Sequence, residues 1–149
     1  MNEANVELIR QHLLQEEKGQ YEDVLAGMTD PPEYYLPGLS DEPIRSREGV
    51  SEIHHMLFES LENISIDVVT IDANDDFGFA EVVVSGRHVG EFMGIPPTGK
   101  VTRLSSCGVF LFKDGKIQRE SIYADRAEFL RQVGWTEKLV PPEESVVAS

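Results

Sequence analysis

Apolar residues recur at helical spacing over the first part of the chain. Val6, Ile9, Leu13, Leu14, Tyr21, Val24, Leu25 and Met28 fall along one face, which predicts a long amphipathic helix from Asn5 to Met28 with one break in rhythm at Lys18-Gly19. Pro31-Pro32 closes that helix, and Glu33 to Leu36 reads as a short helical turn before the loop at Pro37-Gly38. Ser46 is placed as an N-cap. Val50, Ile53, His54, Leu57 and Leu61 then share one face of a second helix. After Asn63 the period changes to two and β-branched residues dominate. Ile64 to Ile71, Phe79 to Phe92, Val101 to Phe112 and Lys116 to Ala124 read as four strands, joined by turns at Asn74-Asp75-Asp76 and Lys113-Asp114-Gly115. Helices followed by strands with short connections predict an α+β fold, with a curved antiparallel sheet of about four main strands wrapped around the N-terminal helices and a short C-terminal helix ending at Val133. A single domain is expected over residues 1–135. Residues 136–149 carry paired prolines and acids without periodicity, and read as a mobile tail.

Charge narrows the range of partners. The formal net charge is −14 over 149 residues, and residues 1–75 hold 17 acidic against 4 basic side chains, while 76–149 hold 10 against 9. Such a field repels phosphate backbones and anionic lipids, so neither nucleic acid nor a membrane surface is an expected partner. No apolar run approaches the ~20 residues needed to cross a bilayer, and a cytoplasmic protein is expected. The nearly neutral second half suits uncharged, aromatic or carbonyl-bearing ligands. Cys107, the single cysteine, cannot form an internal bridge and reads as a strand thiol.

Two motifs fail on their chemistry. Gly94 to Lys100 imitates a phosphate-binding loop, but Val101 stands where a hydroxyl residue is required, and two prolines remove backbone donors. Glu52, His55 and Glu59 have helical spacing for a metal, but no further His or Cys cluster in the sequence completes a ligand set, so no metal is expected.

The segment His88-x-Gly90-x-Phe92-x-Gly94-Ile95-x-Pro97-Thr98-Gly99, followed by Asp114-Gly115-Lys116-Ile117, Tyr123-Ala124-Asp125 and Arg131-Gln132-Val133-Gly134, resembles the SnoaL-like polyketide cyclase (ester cyclase) family of the nuclear-transport-factor-2-like fold. The resemblance spans roughly residues 5 to 135 and implies a cone whose open end admits a small ligand. It also implies cofactor-free acid/base chemistry on a small apolar carbonyl compound, such as an aldol cyclisation or an isomerisation, with the acid/base aspartate at Asp125.

Read from the residues alone, Asp125 has two roles that oppose each other. Desolvated among Phe92, Met93 and Ile95, its carboxyl would rise in pKa and serve as a proton shuttle. As the first residue of Asp125-Arg126-Ala127-Glu128 it would cap a helix, which lowers its pKa. His88, flanked at period two by Gly86 and Gly90, is the second catalytic candidate. Tyr123, Ser121 and Arg119 lie on the strand face that period two assigns to Asp125 and are candidate substrate contacts, as are Phe92, Tyr35 and His54. Arg119 is also a candidate for pairing with Glu91 or Glu120. A non-catalytic carrier of a hydrophobic ligand is the alternative function, and a sheet face left uncovered by helices predicts a homodimer.

Overall fold

The structure, a computed structural model, describes residues 1–135, and the expected tail at 136–149 lies outside the described residues. Helix α1 (Glu3–Glu17) begins at Asn2, whose side chain accepts the Asn5 N–H at 3.0 Å. The long helix expected from the apolar rhythm is in fact two helices. Gly19 adopts φ +71°, a left-handed conformation that ends α1 before α2 (Tyr21–Ala26) starts.

The larger departure is β1 (Met28–Tyr35), a strand where the prolines predicted a stop and a helical turn. Proline lacks a ladder donor, which confines it to edge strands. Here β1 is the edge of a five-stranded sheet ordered β1-β5-β4-β3-β2, and its register shifts between Met28 and Glu33, across the two prolines. Helix α3 (Arg47–Glu59) starts as its sequence indicates, with Ser46 Oγ accepting the Gly49 N–H at 3.0 Å. Strands β2 (Leu61–Ala73), β3 (Phe77–His88), β4 (Val101–Lys113) and β5 (Lys116–Ala124) form an antiparallel meander, while β1 runs parallel to β5. Strand β3 stops short of Phe92 because the N–H groups of Val89 and Gly90 both turn to the Ser60 carbonyl. Helix α4 (Arg126–Gln132) closes the described fold against β4.

Helices α1 and α3 cover the inner face of the curved sheet. Ile9, Val50, Ala80, Val82, Phe110 and Ile117 make the dry centre of that layer. One irregularity decides what faces it. In the β4–β5 ladder Phe112 pairs with Ile117 but Leu111 pairs with Arg119, so Gln118 is a bulge residue. A bulge reverses the alternation beyond it. Ile117 therefore shares the interior with Glu120, Ile122 and Ala124, whereas Arg119, Ser121 and Tyr123 face the other side. Among the described residues no helix is long and apolar enough to cross a membrane.

Candidate active site

A cavity of about 120 Å³ lies between the sheet and the helices, walled mainly by aliphatic and aromatic side chains such as Leu57, Val82, Leu104, Ile122 and Phe129. Six of its lining residues have polar side chains: Glu16, Tyr34, Ser60, Thr102, Ser106 and Arg126. Two of these are occupied internally, since Ser60 Oγ donates to the Leu57 carbonyl at 2.6 Å and Thr102 Oγ1 to the Gly86 carbonyl at 3.3 Å.

Glu16 is the cavity-lining corner of a buried quartet. His12 and Glu16 are one turn apart on α1, His54 projects from α3, and Glu120 projects from β5 because of the bulge. His12 Nε2 lies 2.6 Å from Glu16 Oε1 and 2.7 Å from Glu120 Oε2, and His54 Nε2 lies 3.5 Å from Glu16 Oε1. All four residues are buried. Tyr34 joins from β1, with its ring 4.8 Å from the His54 ring.

The protonation of this cluster follows from who can donate. The Val50 carbonyl can only accept, so His54 Nδ1, 2.8 Å away, carries a hydrogen. Neutral His54 would then present a bare Nε2 lone pair to the Glu16 carboxylate, so either His54 is an imidazolium or the carboxyl holds the proton. Burial by itself favours neutral histidines, but the two carboxylates reverse this and lift His12 well above 6.5, with His54 raised also, chiefly by Glu16. Burial would push Glu16 up, yet His12 overrides it and holds the carboxyl well below the usual range. Glu120 moves the opposite way, raised by burial and by the charge of Glu16. The Tyr34 phenol is raised well above 10 by burial and by the same two carboxylates. The quartet therefore sets its two carboxyls apart, with Glu16 at the cavity wall held low by His12 and Glu120 behind it raised by burial, while both histidines are raised by the carboxylates.

This cluster also converges as a ligand set of two nitrogens and two carboxylates, with its donor atoms within 4.8 Å of one another. It is a different place from Glu52, His55 and Glu59, of which His55 and Glu59 form an exposed pair. Metal bonds of ~2.0–2.1 Å in a tetrahedral site set neighbouring donors roughly 3.3 Å apart. The His12 contacts at 2.6 and 2.7 Å are shorter than that, yet His12 Nε2, His54 Nε2, Glu16 Oε1 and both Glu120 oxygens are buried without a well-aligned hydrogen bond. The four side chains sit as close ion pairs, and a cation held between them would require them to spread.

The residues singled out from the sequence separate into several locations. Phe92 lines the cavity and His54 belongs to the quartet. Asp125 is exposed at the rim between Ala124 and Arg126, and its Oδ1 accepts the Glu128 N–H at 3.0 Å, the capping geometry. Replacing Asp125 by alanine is expected to cost about 1 kcal/mol of stability in urea unfolding, and by asparagine almost nothing, because asparagine caps equally well. His88 is fully buried beside the proline-rich loop. Thr98 N–H donates to its Nδ1 at 3.3 Å, and Phe129 packs edge-on at 5.5 Å. The space expected beside it is filled, since a Cβ at Gly86 or Gly90 would lie 3.0 Å from Leu61 Cβ or Ser60 Cα. Tyr123, Ser121, Arg119 and Tyr35 are on the outer side of the sheet, not in the cavity. The Gln118 bulge puts Arg119, Ser121 and Tyr123 on the face opposite Ile117, away from the cavity. The Arg119 guanidinium sits over the Tyr35 ring at 5.5 Å and 3.9 Å from Glu33, rather than on Glu91 or Glu120. Cys107 is a partly buried thiol of β4.

The chain matches the family model described as SnoaL-like polyketide cyclase over residues 18–133. It is 35% identical over 78 residues to the aklanonic acid methyl ester cyclase AcmA of Streptomyces galilaeus, covering 51% of this chain and 54% of that protein. It is 36% identical over 75 residues to the nogalonic acid methyl ester cyclase of Streptomyces nogalater, covering 49% and 54%. The matched region thus spans about half the length of these curated relatives. The fold superimposes on TsrD from Streptomyces laurentii with a TM-score of 0.78 at 21% identity, over 91% of this chain and 98% of that one.

Proposed function

This chain belongs to the SnoaL-like polyketide cyclase family, and on that premise we propose that it is an acid/base enzyme that cyclises a small, mostly apolar polycarbonyl compound without a metal or organic cofactor. The observation that carries this reading is the position of Glu16, the one carboxyl in the described wall of a mainly apolar cavity, with His12 Nε2 at 2.6 Å holding it well below the usual carboxylate range. A carboxylate held at low pKa is a weak base, so it suits a proton that is already acidic, such as one on a carbon between two carbonyls. Glu16 removes that proton, and the Tyr34 hydroxyl donates to the oxygen where the enolate charge collects. The enolate carbon then attacks a second carbonyl of the same molecule. One carbon–carbon bond forms, one C=O becomes an alkoxide, and the proton returns to that oxygen, so the overall reaction is an isomerisation. His12 and His54 act through Glu16 as positioning residues that fix its orientation and charge. Asp125 and His88 are assigned to capping and loop packing in this scheme.

The named substrates of the two relatives are the first compounds to try. Incubation with aklanonic or nogalonic acid methyl ester, followed by chromatography of the products, is expected to yield cyclised material. Tight binding of either ester without conversion would instead support a carrier. We also propose a homodimer through the outer sheet face, where Phe77, Phe79, Leu111 and Tyr123 are exposed. Sedimentation at micromolar concentration is expected to give twice the chain mass, and a monomer would contradict it.

A further inference from the structure

The aliphatic hydroxyls in the described cavity wall are those of Ser60, Thr102 and Ser106. Ser60 and Thr102 each donate to a backbone carbonyl, whereas Ser106 Oγ makes no hydrogen bond among the described residues. The strand period aims that hydroxyl inward. Thr102, Leu104, Ser106 and Gly108 alternate along β4 and all line the cavity, while Arg103, Ser105 and Cys107 between them do not. Its neighbours on the inner face supply nothing polar: Val82 pairs with it on β3, Ala124 pairs with it on β5, and Leu104 and Gly108 flank it on its own strand. A hydrocarbon filling the cavity would strip this hydroxyl of water and leave it unpaired, whereas a ligand oxygen would satisfy it.

The ladder also fixes where that oxygen lies relative to the base. Glu120 pairs with Phe110, Ile122 with Gly108 and Ala124 with Ser106, so Ser106 stands two inward steps along the sheet from the rung that carries Glu120. At ~3.3 Å per residue, Phe110 and Ser106 are about 13 Å apart along the strand. Glu16 is tied to the Glu120 rung through His12, whose Nε2 lies 2.6 Å from Glu16 Oε1 and 2.7 Å from Glu120 Oε2.

We propose that Ser106 is a specificity-determining residue whose hydroxyl donates to a neutral carbonyl oxygen of the ligand, carried on a part of the skeleton remote from the carbon that loses its proton. The proposal deepens the acid/base reading and rests on it only for which carbon reacts. An uncharged donor suits the ketone and ester oxygens of a polycarbonyl compound. It favours oxygenated skeletons over hydrocarbons, and anchoring the skeleton at this rung sets which of its other carbonyls comes to the quartet.

The test uses two inert tricyclic probes of matched shape, 9-fluorenone and fluorene, which differ by a carbonyl in place of a methylene. Affinities are measured by equilibrium dialysis on the full chain, and the ratio of fluorenone to fluorene affinity is taken within each protein. Ser106→Ala is expected to lower that ratio by about three- to tenfold, the scale of one neutral hydrogen bond. Ser106→Thr, which keeps the hydroxyl, is expected to retain most of it. A general weakening of the fold acts on both probes alike and does not imitate the effect, and Ser106→Cys, a weak donor of similar size, serves if the alanine variant does not fold. A ratio unchanged in Ser106→Ala, an equal fall in Ser106→Thr, or no binding of fluorenone to the wild-type protein would overturn the proposal. Neither probe cyclises, so this outcome is separate from whether Glu16 acts as a base.

Discussion

Replacing His12 with leucine is expected to lower the free energy of unfolding by about 3–5 kcal/mol, the usual cost of removing one partner from a buried ion pair. The reason is geometric. His12 Nε2 stands between two carboxylates at 2.6 and 2.7 Å, both buried, and without it Glu16 and Glu120 confront each other with no intervening proton donor. Removing Glu120 as well should recover much of the loss, because Glu16 still has His54 at 3.5 Å and the interior gains an apolar contact. The double variant His12→Leu, Glu120→Leu is therefore expected to be more stable than His12→Leu alone, a coupling that urea unfolding of the four proteins measures directly. The pH dependence gives a second signature. Folded His12 keeps its proton at a higher pH than the unfolded chain does. Its stabilisation is thus complete below about pH 6.5 and is lost as pH rises through the higher folded value. In His12→Leu this alkaline loss should disappear. The variant should instead gain stability on acidification, because the facing carboxyls titrate above the ordinary value of about 4.3.

The second large effect is on turnover. Glu16→Gln keeps the size and planarity of the side chain but removes the lone carboxylate of the described cavity wall. Loss of a positioned general base is expected to reduce kcat by about 10²–10⁴-fold, with ligand affinity little changed, since the apolar walls that hold the skeleton are untouched. The loss should appear in kcat with KM nearly constant, as for an interaction made in the transition state. Tyr34→Phe is the companion: it deletes only the hydroxyl, and a loss in kcat with retained affinity would place that donor on the enolate oxygen.

Much of the scaffold is legible in the amino-acid pattern, and the site much less so, for reasons that can be traced to single residues. Ser46 announces α3, and the period-two runs that end at Phe112 and Ala124 announce β4 and β5, because local chemistry and burial agree there. Strand β1 is hidden because Pro31-Pro32 ordinarily ends structure, and only its position at the sheet edge makes them tolerable. The inward face of β5 is hidden by one bulge residue, Gln118. Counting by twos from Ile117 selects Arg119, Ser121 and Tyr123, whereas the ladder slips and delivers Glu120. His12 and Glu16 did leave a trace. They sit one turn apart among Ile9 and Leu13, so a polar pair interrupts the apolar stripe of α1 where burial would otherwise exclude it. Their meaning depends on His54 and Glu120 arriving from distant elements, which no local pattern encodes. The resemblance to the family reached the fold through its strand and loop motifs, and it carried Asp125 forward as the acid. In this chain one oxygen of the Asp125 carboxylate, Oδ1, accepts the Glu128 N–H.

The choice between the rim and the buried quartet comes down to one comparison: kcat for Glu16→Gln and for Asp125→Asn, measured on the same polycarbonyl ester under the same conditions. A drop of at least a hundredfold in Glu16→Gln, with Asp125→Asn within a few-fold of wild type, is the expected result. A Glu16→Gln protein that turns over normally while Asp125→Asn is inactive would contradict an acid/base centre at His12, Glu16, His54 and Glu120.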